Sequence, residues 1–124
     1  MLIEEYFSGI EHDINSCPFV HTYTLSKEKR SLHIGIIEGS IKFMDNSTLY
    51  FMEFVDVSKN IERFKYSYHY EDGNNAMIFR YDMAPHFRDI ETFPYHKHEK
   101  EKVMPSNKAF LKAILHEVER LILQ

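Results

Sequence analysis

The chain has little with which to tie itself together covalently or to bend sharply. Its 124 residues include one cysteine, four glycines, four prolines and no tryptophan. The lone Cys17 excludes an internal disulfide, and with Pro18 beside it and no basic neighbour it reads as a small core residue rather than a reactive thiol. No run approaches the ~20 apolar residues of a membrane span. The opening residues, MLIEEYFSGIEHD, place acids where a secretory signal needs a basic start. A basic excess is missing as well: 15 Lys and Arg against 19 Asp and Glu give a formal charge of -4. That excludes a surface that is one phosphate-binding field, but not a local basic site. A Gly-rich phosphate loop, a nucleophile elbow, a CxxC pair and an HExxH sequence are all absent, which argues against nucleotide-dependent enzymes, serine hydrolases and zincins. The expectation is a soluble, cytoplasmic protein without membrane association.

What is present is a core-forming pattern sufficient for one α+β domain over residues 1–124. Leu2, Ile3, Tyr6, Phe7, Ile10 and Ile14 recur at helical steps and predict an N-terminal helix ending near Pro18. From Phe19 the period becomes two, through Val20, Tyr23, Ile34, Ile36, Ile37, Ile41 and Phe43, with Gly35 and Gly39 suggesting a bulge or bend. Asp45, Asn46 and Ser47 read as a tight turn. Thr48 to Val57 predicts a central strand that carries one acid, Glu53, in register with Leu49, Phe51 and Val55. A buried acid needs a partner, and a cross-strand Arg or Lys would suffice.

Along Ile61 to Tyr70, strict alternation puts Phe64, Tyr66, Tyr68 and Tyr70 on one face and Arg63, Lys65, Ser67 and His69 on the other. The tyrosine stripe fits either a base-stacking platform or, more commonly, a strand face packed on a helix. Asp72 and Gly73 close a hairpin onto Ala76 to Asp82, where Ile78, Arg80 and Asp82 share a face. After Met83 about twenty residues show no period and are broken by Pro85 and Pro94, a length that points to function or disorder. Ser106 is a good N-cap for a C-terminal helix with Phe110, Leu111, Ile114, Leu115, Val118, Leu121 and Ile122 as its apolar stripe. The predicted architecture is a mainly antiparallel meander of five or six strands flanked by an N-terminal and a C-terminal helix.

Reactive side chains crowd into RYDMAPHFRDIETFPYHKH, residues 80–98. His86, His96 and His98 lie there, with His69 nearby in the chain, beside Arg80, Asp82, Arg88 and Lys97. Two imidazoles can share general base and general acid roles while Arg or Lys stabilises a phosphorane-like transition state, and metal-free RNA cleavage needs little more. The His96-x-His98 pair with His86 also invites a metal reading, yet it falls short of a zinc motif. Arg80 and Asp82 fit a structural ion pair equally well. The predicted catalytic set is His86, His96, His98, Arg80, Asp82 and Lys97, with neither a metal nor a cofactor.

In order and spacing, IFRYDMAPHFRDIETFPYHKH resembles the signature of the TumE-like toxin family of prokaryotic toxin–antitoxin systems, formerly a family of unknown function. The likeness extends over EGSIKFMDNSTLYFMEFVD and KYSYHYED and covers roughly residues 32 to 122. Matching positions are Arg80, Tyr81, Asp82, Pro85, His86, Pro94, His96, Lys97 and His98. Where the family has His-His after the first proline this chain has His86-Phe87, and Tyr95 stands where a further histidine is common. The resemblance implies a small growth-arresting protein held by a cognate protein antitoxin. It carries over no chemistry, and the residues leave three functions as expectations: a metal-independent ribonuclease acting on RNA, a non-catalytic protein-binding module, and a metal-dependent hydrolase. A nuclease requires Arg80 and two histidines to converge on one cleft, whereas a docking module requires an exposed apolar patch.

Overall fold

The computed structural model describes residues 1–83, 95–99, 102–105 and 110–124, and at 95, 96 and 102–105 the backbone alone. Helix α1, Ile3–Asn15, is followed by strands β1 Val20–Lys29, β2 Ile34–Phe43, β3 Thr48–Asp56, β4 Glu62–Glu71, β5 Met77–Met83, β6 Tyr95–Glu99 and β7 Lys102–Pro105, and then by helix α2, Leu111–Ile122. The strands pair in chain order β1-β2-β3-β4-β5-β6-β7, every neighbour antiparallel. The α+β class, the meander and the two flanking helices are as expected. The two short strands β6 and β7 lie in and just beyond the stretch that showed no period. Strands of five and four residues, YHKHE and KVMP, are too short to show an apolar alternation by which to be recognised. Pro85, His86, Arg88, Pro94 and Ser106 lie outside the described residues; α2 begins later than expected, at Leu111, with the extended Phe110 and not Ser106 at its N-cap.

Both helices cover one face of the sheet. Ile3, Tyr6, Phe7, Ile10 and Ile14 of α1 and Leu111, Ile114, Leu115 and Val118 of α2 share a core with Ile37, Ile41, Leu49, Phe51, Val55, Tyr66, Tyr68, Tyr70 and Phe79. Fully burying each such large side chain contributes about 1.5–3 kcal/mol. The tyrosine stripe is therefore core and not a stacking platform, because Tyr66, Tyr68 and Tyr70 are at most 1% exposed. Edge and tilted ring contacts, Phe43–Tyr70 at 6.0 Å and Tyr70–Phe79 at 5.2 Å, do the space-filling that a tryptophan would otherwise do.

Three local expectations change. Gly35 and Gly39 sit in regular register, opposite Lys29 and Leu25, and the irregularity between β1 and β2 falls instead at Val20/Thr22. These glycines are required by close approach: a Cβ on Gly35 would lie 2.7 Å from the Glu28 carbonyl oxygen, and one on Gly39 would meet the Thr24 carbonyl. In the β4–β5 hairpin the left-handed residue is Asn75, φ 65°, rather than Gly73, and the Asp72 carboxylate accepts from the Asn74 and Ala76 amides at 2.8 and 3.1 Å. Finally, Phe54 pairs with Lys65 but Val55 with Arg63, so Phe64 is an inserted bulge residue. The bulge reverses the phase of β4, leaving Phe64 49% exposed and turning Arg63 into the core at 5%.

Candidate active site on the open face of the sheet

Antiparallel register builds the site. His69 of β4 lies opposite Arg80 of β5, and Arg80 opposite His98 of β6. The next row holds Ser67, Asp82 and His96. Residues two apart share a face, so the set shares the face opposite the helices. There Arg80 Nε donates to Asp82 Oδ2 at 3.1 Å, and Asp82 Oδ1 lies 3.3 Å from His98 Nε2. On the other side Arg80 reaches His69 Nδ1 at 3.5 Å, while His69 Nε2 meets Glu71 Oε2 at 3.1 Å. One guanidinium thus stands between two imidazoles, each held by a carboxylate that fixes ring orientation.

A cavity of about 690 Å³ has Thr24, Ser40, Tyr50, Ser67, His69 and Arg80 among its lining residues, within the size range of small-molecule sites. Hydroxyls and the Tyr50, Phe51 and His69 rings share its wall with Leu25, Met52 and the Glu38 carboxylate, and Arg80 stands at one end.

Of the six predicted residues, Arg80, Asp82 and His98 come together. His96 belongs to the row of Asp82 by its backbone pairing, while its side chain and all of His86 lie outside the described residues. His69 and Glu71 were not in the predicted set. His69 stood near the cluster in the chain, but only strand pairing joins it to Arg80. Lys97 parts from the group: opposite Tyr81, it points to the helix side and donates to Glu117 Oε2 of α2 at 3.0 Å. Burial works against its ammonium, but hydrogen bonds to Glu117 and Tyr81 outweigh burial and hold the pKa above the ordinary lysine value. Tyr81 Oη also donates to Glu117, at 2.6 Å. Lys97→Ala is therefore expected to cost roughly 1–3 kcal/mol of stability, as a charged hydrogen bond does, and to leave the chemistry of the open face intact. Urea midpoints alongside an activity or toxicity assay check this, and lost activity in a folded variant would return Lys97 to the site.

A second polar cluster is buried beneath the sheet's other face. Glu53 is completely buried; it accepts hydrogen bonds from the Tyr6 hydroxyl and, at 2.7 Å, from the Tyr68 hydroxyl. The expected cationic partner is one step removed, as Arg63 NH1 donates to Tyr68 Oη at 2.8 Å. The Arg63 guanidinium also lies over the rings of Tyr66, 4.3 Å, and Phe110, 4.0 Å. Among the described residues its Nε and NH2 have no hydrogen-bond partner. Burial first, and then the Glu53 charge, push the Tyr6 and Tyr68 hydroxyls far above the usual phenol range.

This makes stability sensitive to alkali. Above about pH 10 the unfolded chain releases phenolic protons that the folded chain keeps, so stability is fully present below that pH and falls as pH rises. Each such tyrosine contributes a slope of about 1.4 kcal/mol per pH unit. Tyr68→Phe should flatten the decline between pH 9 and 11, measured by urea unfolding, and an unchanged slope would remove Tyr68 as its source.

Cys17 is buried, as expected, with its Sγ donating to Glu119 at 3.3 Å, and burial raises its pKa. Among the described residues no three His, Cys, Asp or Glu side chains converge as an ion cage, and no helix is long and apolar enough to cross a membrane. Comparison with curated proteins and with solved structures finds no match. The family model described as Toxin TumE matches residues 10–123, which take in every strand, α2 and all of the open-face cluster. The chain belongs to the TumE toxin family.

Proposed function

We propose that this toxin is a metal-independent ribonuclease that works on the open face of the sheet. The observation that carries the reading is Arg80 between His69 and His98, with His69 and Arg80 lining one hollow. In this reading one imidazole takes the proton of a ribose 2′-hydroxyl as its oxygen attacks the adjacent phosphorus. The other gives a proton to the departing 5′-oxygen as the P–O5′ bond breaks, leaving a 2′,3′-cyclic phosphate and a 5′-hydroxyl. Arg80 holds the charge that builds on the non-bridging oxygens. Its 3.5 Å contact with His69 Nδ1 is at the outer limit of a hydrogen bond. A phosphate that draws the guanidinium away would leave that nitrogen available as the base. Glu71 and Asp82 orient the two rings. His96, in the row of Asp82, and His86 remain proposed members of the acid/base set.

The test is incubation of purified protein with end-labelled RNA in the presence of a chelator, together with RNA integrity during induced expression. Cleavage to cyclic-phosphate ends is expected. Intact RNA during growth arrest would sink the ribonuclease reading.

A docking role has its own support on the opposite side of the molecule. Met1, Ile61 and Phe110, each more than a third exposed, border an apolar groove of about 370 Å³ floored by Tyr6, Ile10 and Leu111. Such a surface suits a protein antitoxin. Co-purification that survives Arg80→Ala but fails with Phe110→Asp would place the partner on this groove.

A further inference from the structure

The open face continues beyond the catalytic cluster. Strand pairing sets Thr24, Ser40, Tyr50, His69, Arg80 and His98 in one row across six strands. The row on one side carries Lys42 opposite Thr48, and the row on the other carries Glu38 opposite Met52. Tyr50 is the exposed aromatic of the central row, 45% accessible, with its ring centroid 6.3 Å from that of His69. A second hollow of about 300 Å³ adjoins the first; the two share Thr24, Ser40 and Tyr50, and the second adds Lys42. Lys27, Lys29, Arg30, Arg80 and Lys97 are each ion-paired, whereas Lys42 forms no ion pair among the described residues.

From this we infer that Tyr50 and Lys42 form a nucleotide subsite beside the reacting phosphate, Tyr50 stacking an unpaired base and Lys42 taking a neighbouring phosphate. The inference rests on the ribonuclease reading and names its substrate as single-stranded RNA. Neighbouring strands are about 4.8 Å apart, so Tyr50, two strands from Arg80, sits about one nucleotide away from it. The Glu38 carboxylate repels phosphate on one side of the row, and Lys42 attracts it on the other, in a row that also holds Glu71 opposite Thr48. A paired base offers no free face to Tyr50, so a duplex cannot use the subsite. The hydroxyls of Ser40 and Thr48 lie beside Lys42 and Tyr50, where they can meet sugar and phosphate oxygens.

The test uses fluorescence anisotropy with a single-stranded 2′-deoxy oligonucleotide, which cannot be cleaved, and with its duplex. Tyr50→Ala is expected to weaken single-strand binding roughly tenfold or more and Tyr50→Phe to retain it. Lys42→Gln should weaken it and reduce the salt slope by about 0.7. Both side chains are exposed, and circular dichroism verifies that the variants fold. Unaltered affinity in Tyr50→Ala and Lys42→Gln, duplex binding as tight as single-strand binding, or no oligonucleotide binding at low salt would each overturn the subsite. The two readings fail separately. Binding with this mutational pattern but without cleavage of the matching RNA leaves the subsite and removes the chemistry. Cleavage whose KM ignores Tyr50 and Lys42 does the reverse.

Discussion

Arg80→Ala is expected to reduce RNA cleavage, and with it growth arrest, by roughly 100- to 1000-fold, the usual loss when one preorganised donor to a developing oxyanion is removed. Among the described residues no other cation stands in the row of His69 and His98: Lys97 points the other way, and Lys42 and Lys65 lie in other rows. Arg80→Lys keeps the charge but not the planar fork that meets Asp82 and a phosphate together, so it should recover only part of the activity. Stability should hardly register the change. The Arg80 side chain is 38% exposed, and ion pairs of that kind contribute about 0–1 kcal/mol. Single-turnover cleavage with purified variants measures the effect. Full activity in a folded Arg80→Ala protein would show that the guanidinium is only a structural anchor for Asp82, one of the two roles its sequence position allowed.

The second large effect concerns folding. Glu53→Ala should destabilise the protein by about 3–5 kcal/mol, because it leaves buried Arg63 without its anionic counterpart and two tyrosine hydroxyls without their acceptor. Against a typical total of about 5–15 kcal/mol, that is enough to leave a large share of the chain unfolded. Replacing the network as a whole, with Glu53→Met, Arg63→Met, Tyr6→Phe and Tyr68→Phe together, should cost less than the single change, since no charge is then stranded. Urea midpoints of the two proteins decide the order. If the fourfold variant were the weaker, packing around these rings rather than charge pairing would be the main contribution.

Much of this was legible in the chain. The apolar run of Thr48–Asp56 with its single acid, helical spacing in α1 and along Leu111–Ile122, and the hairpin at Asp72 are local patterns, and each appears where it was expected. Arg80 and Asp82 were known to share a face because any strand puts residues two apart together. Phe64, by contrast, reads as one more member of an aromatic stripe, and only pairing with Phe54 and Val55 exposes it as a bulge that turns Arg63 inward. Lys97 reads as a site cation because it stands between two histidines. The same alternation that brings His98 to Arg80 sends Lys97 to Glu117.

The sequence by itself determined both helices, the first five strands and most of the core, since burial patterns depend on neighbours a few residues apart. The tertiary structure decided the composition of the site. His69, Arg80 and His98 are brought side by side by strand register, a property of pairs of strands rather than of either one. Tyr50 joins the same row only when β3 is laid against β4. Strand register follows from which face of every strand must be buried, and so no single segment encodes it.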